Sequence, residues 1–144
     1  MSVTALDATV VVAATLGWHD AHARSASAIS RALRSERTTL LPRTALVQSY
    51  SVVTRLPRGY RIEPARAVHL LEGLLLPRDR LRFPEPPDPW TLVSAAVTRG
   101  VAGGAIHDYE ILTTAAAAGA TRLLTLDPDD FLRFGDLGVE IVVP

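Results

Sequence analysis

The chain has 144 residues, 48% of them hydrophobic, with 15 basic and 15 acidic side chains that leave a formal net charge of zero. That length predicts one domain, 1–144, with a core of its own, and the absence of cysteine excludes a disulfide framework, a thiolate metal site and a cysteine nucleophile. Zero net charge argues against a general nucleic-acid-binding surface, and no apolar run approaches the roughly 20 residues of a membrane span.

The opening MSVTALDATVVVAAT lacks a basic n-region, and Asp7 interrupts its apolar run. No signal peptide is expected, and a cytoplasmic location fits the lack of cysteine. Every basic residue is arginine. Base composition explains that bias simply; phosphate recognition by a planar guanidinium fork is the functional alternative.

Val3-Leu6 reads as a first strand, followed by Asp7 and a buried helix at Ala8-Thr15. The Val10-Val12 run leaves helix against strand open there. A second helix is expected from His19 to Arg37, with Ile29, Ala32 and Leu33 inward and its arginines mostly outward. Thr38-Leu41 is a short strand ended by Pro42. Thr44 is suited to cap a third helix, TALVQSYSVVTRL, stopped by Pro57 and Gly59. Gln48 and Arg55 lie at the edge of its inward face. Arg58-Gly59-Tyr60-Arg61 is a basic loop with one aromatic, either a plain surface loop or a contact for a nucleic-acid backbone.

Pro64 starts a fourth helix, to about Leu76, and Arg78-Phe83 is a short strand. A fifth helix opens at Pro89 or Trp90 and runs to Arg99. Gly100, Gly103 and Gly104 break it, and a sixth carries Asp108 and ends near Gly119. Leu123-Leu126 and Glu140-Val143 are further strands. Short strands alternating with helices predict an α/β fold with a mostly parallel sheet covered on both faces.

Three acids stand out. Asp108 shares a helical face with Ile111, Leu112 and Ala115, so a carboxylate sits where the helix should bury. Asp127 follows a strand, at the edge where open α/β sheets place ligands. Asp7 follows another. Two have structural alternatives: Asp7 suits a helix cap, and Asp127-Pro128-Asp129-Asp130 suits a helix start, while Asp108 is the hardest to explain as structure. Together they suggest a site for a hard divalent cation such as Mg²⁺ or Mn²⁺. The histidines at 19, 22, 69 and 107 form no convincing zinc set, and no Walker loop or G-x-S-x-G serine motif is present.

The ordered segments ALDATVVVAA, TALVQSYSVVTRLP, GGAIHDYEIL and AAAAGATRLLTLDPDDF resemble those of PIN-domain ribonucleases, specifically VapC-type toxins, over Val3 to Val143. The resemblance implies a PIN-like α/β/α sandwich around a parallel sheet. It implies Mg²⁺- or Mn²⁺-dependent cleavage of single-stranded or looped RNA, a homodimer, and a cognate antitoxin that blocks the site. Carried over by position, Asp7 matches the first family acid, Asp108 the third and Asp127 the fourth, with Asp130 as the fallback. The second acid is normally glutamate; here it is Gln48. Arg55 is a further candidate for phosphate contact. An antitoxin tail would place a cation among the carboxylates and lie along the helices Ala8-Leu16 and Thr44-Leu56. Gln48 keeps a second reading open, a silent PIN domain that only binds antitoxin or RNA. A third is an unrelated α/β domain whose aspartates are caps.

Overall fold

The computed structural model describes residues 2–144. Five short strands form one sheet: β1 (Thr4–Leu6), β2 (Thr39–Leu40), β3 (Leu81–Arg82), β4 (Arg122–Leu124) and β5 (Glu140–Val142). All pairings are parallel, and the order across the sheet is β3-β2-β1-β4-β5. Parallel neighbours need crossovers, which helices supply. They are α1 (Ala8–Thr15), α2 (His22–Ser35), α3 (Arg43–Thr54), α4 (Pro64–Leu74), α5 (Pro89–Thr98), α6 (Ala105–Ala117) and α7 (Asp129–Leu132).

The strand order has one reversal. From β1 the chain builds outward through β2 and β3, then returns to the other side of β1 for β4 and β5. The switch lies between β1 and β4, and a crevice opens beyond their carboxyl ends. Asp7 stands at the end of β1, its N–H bonded to the Leu124 carbonyl of β4 at 3.0 Å.

The core forms where the sheet meets the helices. Ala5 and Leu6 of β1, Leu123 and Leu124 of β4, Ile29 and Leu33 of α2 and Ile111 and Leu112 of α6 are all buried there. The ambiguous Val10-Val12 stretch is helical. Val10 and Val11 are fully buried, so packing outweighs the modest helix penalty of β-branched residues. At the amino ends of the strands, opposite the cleft, Glu36 joins three elements. Its carboxylate accepts from Thr4 N at 3.0 Å and Thr4 Oγ1 at 2.7 Å, and pairs with Arg122 of β4.

One local expectation is corrected. Thr44 does not cap α3: the helix begins at Arg43, Pro42 occupies the capping position, and the Thr44 hydroxyl donates instead to Glu110 of α6. α1 packs against α2, α3 and α4, and five of its eight residues are buried, while Ala8, Thr9 and Val12 line open cavities shared with Val52 of α3. A separate apolar groove lies between α3, α4 and β3, where Leu46, Tyr50, Val68, Leu71, Leu75 and Phe83 line about 340 Å³.

Candidate active site

The crevice at the switch point encloses about 630 Å³. Asp7, Asp108 and Asp130 line it with Gln48, Thr9, Ser51, His107, Arg43 and Arg55. The lining therefore combines three carboxylates with two guanidinium groups. α3 supplies Gln48, α6 supplies Asp108, and the first turn of α7 supplies Asp130.

Asp7 is both cap and cleft residue. Its Oδ2 accepts from Thr9 N at 3.4 Å, capping α1, and also from Thr9 Oγ1 at 2.7 Å and Thr125 Oγ1 at 2.9 Å. Those hydroxyls are themselves anchored. Thr9 Oγ1 accepts from Leu126 N at 2.9 Å, and Thr125 Oγ1 accepts from Asp127 N at 3.1 Å. Each hydroxyl proton is thus directed to the carboxylate, fixing Asp7 at 2% exposure. Burial pushes its carboxyl above the ordinary 3.8, and the bonds from Thr9 and Thr125 pull it partly back.

Asp108 is half-buried. Desolvation first, then repulsion from Asp7 and Asp130, lifts it from 3.8 to about 6. Arg133 opposes the rise. Its guanidinium lies 3.5 Å from Asp108 Oδ2, donates through Nε to the Asp130 carbonyl at 3.0 Å, and stacks 5.0 Å from the Phe134 ring centre.

The structure brings together Asp7, Asp108, Gln48, Asp130 and Arg55. Asp127 lies next door, in a smaller cavity with Thr9, Val12, His19, Val52 and Leu126. Its carboxylate makes no capping hydrogen bond among the described residues; α7 begins two positions later. Asp130 is therefore the acid that faces Asp108. Thr9 and Thr125 were not singled out from the sequence. A threonine at the end of a strand carries no chemical signature until its neighbour is known.

The donor set suits a hard cation, since carboxylate oxygens and an amide carbonyl face one cleft. Among the described residues, no group of three His, Cys, Asp or Glu side chains is placed to hold a metal ion by itself. An open, partly neutral set matches a cation that keeps several waters.

A parallel α/β sheet with acids gathered at its switch point defines the class: a PIN-like domain with an acidic cleft. No family model matches the chain. It is, however, 34% identical over 135 residues to ribonuclease VapC40 of Mycobacterium tuberculosis, covering 94% of each chain. It is also 30% identical over 148 residues to ribonuclease VapC27 of the same organism, covering 96% of this chain and 95% of the relative. In fold it matches DNA-bound VapBC from Salmonella typhimurium with a TM-score of 0.67 at 15% identity, covering 99% of this chain and 98% of the other. VapBC2 from Rickettsia felis, bound to a promoter DNA fragment, gives a TM-score of 0.64 at 15% identity, with coverage of 99% and 98%. The chain belongs to the VapC ribonuclease family.

Proposed function

We propose that this protein is a divalent-metal-dependent endoribonuclease toxin acting on single-stranded or looped RNA in the cytoplasm. The observation that carries it is the cleft at the switch point, lined by three carboxylates together with Arg43 and Arg55. Asp7, Asp108 and Asp130 would hold Mg²⁺ or Mn²⁺, with the Gln48 carbonyl in place of a fourth acid. The ion, when bound, supplies Lewis acidity that offsets phosphate charge and acidifies water. Thr9 and Thr125 keep Asp7 ionisable and aimed. Arg43 and Arg55 orient the phosphodiester and stabilise its charge.

A cognate antitoxin belongs to this reading, as the VapBC assemblies among the fold neighbours support. The groove lined by Leu46, Tyr50 and Phe83 suits an apolar segment of it. Homodimerisation is part of the same proposal. The rival reading, a silent domain that binds without cleaving, draws on Gln48, which removes one negative charge from the cation site.

Purified protein incubated with a single-stranded RNA and Mn²⁺ tests the proposal. Cleavage should require the metal, stop with chelator, and be lost in Asp108→Asn while circular dichroism stays native. Cleavage by Asp108→Asn at the wild-type rate would remove Asp108 from the mechanism. Intact RNA at every metal concentration would favour the silent domain.

A further inference from the structure

Two loops meet beside the cleft. One carries Gly17, Trp18 and His19 between α1 and α2; the other spans residues 57–62 after α3. Trp18 and Tyr60 are 57% and 58% exposed, yet their rings meet edge to face with centres 5.5 Å apart. His19 stacks near Trp18, its ring centre 6.2 Å away and inclined by 30°.

The rings stand on a built scaffold. Beneath them lies a small core separate from the main one: Leu16, Val53 and Ala67, with Val12, Leu56 and Ile62 packed against it. Leu16 anchors the Trp18 loop and Ile62 the Tyr60 loop. Ile62 N donates to the Val53 carbonyl at 2.9 Å, and Tyr60 N to Pro57 at 2.9 Å. Gly59 makes the turn with φ of +95°, a conformation costly for other residues. His19 Nδ1 accepts from Ala21 N at 3.0 Å, which fixes the ring. Large apolar faces are thus held exposed, when folding alone would favour covering them.

Their position is as specific as their rigidity. His19 lines the Asp127 cavity, which shares Ala8, Thr9 and Val52 with the acid cleft. Arg55 lines the cleft itself, and Arg58 and Arg61 flank Tyr60, both exposed. Among the described residues neither Arg58 nor Arg61 forms an ion pair. Asp20 and Glu63 offset this charge only in part. Exposed aromatic faces interleaved with arginines suit unstacked bases and their phosphates, and a duplex hides its base faces.

We propose that Trp18, Tyr60, Arg58 and Arg61 form a base-stacking subsite that holds one nucleotide of single-stranded RNA next to the cleavage cleft. The subsite rests on the ribonuclease reading of the neighbouring cleft. It would bind RNA independently of metal, because none of its members faces the acids.

The chain has two tryptophans, Trp18 and Trp90, so Trp90→Phe makes Trp18 the sole reporter. In chelator, a short oligouridylate should quench Trp18 emission to saturation, and an RNA duplex should not. Followed by the anisotropy of a dye-labelled oligouridylate, Trp18→Ala and Tyr60→Ala should each weaken binding about tenfold, and Trp18→Phe should retain most of it. Arg58→Ser should lower the salt dependence of binding by about 0.7 in log–log slope, as for one lost phosphate contact. That exposed substitution keeps the test valid if an aromatic variant misfolds. Unchanged affinity in both alanine variants overturns the subsite even where RNA is cleaved. Equal quenching by duplex, or a Trp18 response to a bound antitoxin and none to RNA, also overturns it. Aromatic-dependent binding by a protein that never cleaves would retain the subsite and reject the nuclease.

Discussion

Thr9 and Thr125 show how one carboxylate performs two tasks: the oxygen that caps α1 is the oxygen they clamp. Capping and cleft roles, alternatives in the sequence, therefore coincide at Asp7. Asp108 lacks such support and bears the cost of the assembled charges. Folded, it holds its proton to about pH 6; unfolded, only to about its ordinary 3.8. Between those values the unfolded chain binds fewer protons, so this group's contribution to stability falls as pH rises from about 4 to about 6. Above that window Asp108→Asn should stabilise the metal-free protein. Solvent screening and the lost Arg133 pair reduce the gain to on the order of 1 kcal/mol, or about 3 °C in melting temperature. Melting curves in chelator at pH 5 and pH 7 check this; the gain should be larger at pH 7. Gln48 relieves the same repulsion within the native chain. Gln48→Glu should tighten Mn²⁺ binding in calorimetry, raise the cleavage rate and slightly lower the metal-free melting temperature. Equal affinity and equal rates in both forms would place position 48 outside the cation site.

Elements were the most legible level, because their punctuation is local. Pro42, Pro57, Pro64 and the glycines at 100, 103 and 104 bracket α3, α4 and α6 closely. Arg43–Thr54 begins one residue before Thr44, since proline at the capping position replaces a side-chain cap and frees Thr44 to bond Glu110. α2 starts at His22 instead of His19 because the His19 ring accepts from Ala21 N, closing a turn ahead of the helix. What local pattern could not reveal is which elements are tied together. Glu36 just past α2, Thr4 on β1 and Arg122 on β4 form one node only after the sheet assembles. The arginines of α2 read as a solvated face, whereas the partly buried acid just past its end has no local signature. Glu36→Ala should strip three charge-assisted contacts and leave Thr4 N unpaired. A loss of about 2 kcal/mol is expected, or roughly 5 °C, with metal affinity of the distant cleft unchanged. Denaturant unfolding and Mn²⁺ titration of the same variant separate the two effects; weakened Mn²⁺ binding would show that this node also shapes the cleft.

At the scale of the whole molecule, the sheet order decides the site. Alternating strands and helices foretold a parallel sheet, but the reversal between β1 and β4 is what brings residues 7, 108 and 130 into one cleft. Sequence spacing favoured Asp127 because it ends the strand segment; the turn into α7 carries Asp130 to the cleft, a geometry no spacing rule encodes. The same assembly leaves one surface uncovered. On α5, Leu92 and Ala96 are buried, while Trp90, Val93 and Val97 are 79%, 44% and 81% exposed. Their spacing of three and seven residues makes them one ridge along the helix. An exposed tryptophan beside two valines is the composition of an interface centre, where aromatic anchors dominate. The homodimer proposed above therefore has a candidate seam at α5. Sedimentation should give about twice the 15.5 kDa chain mass at micromolar concentration. Replacing Trp90 with serine should cost on the order of 2 kcal/mol of association, about thirtyfold in dimer Kd. Adding Val97→Asp should leave monomers, because a desolvated charge then opposes pairing. The acid cleft lies on other elements, so single-turnover cleavage by the monomeric variant should persist. A wild-type chain that sediments as a monomer at high concentration removes the seam, and dimers that survive both substitutions move it to another face.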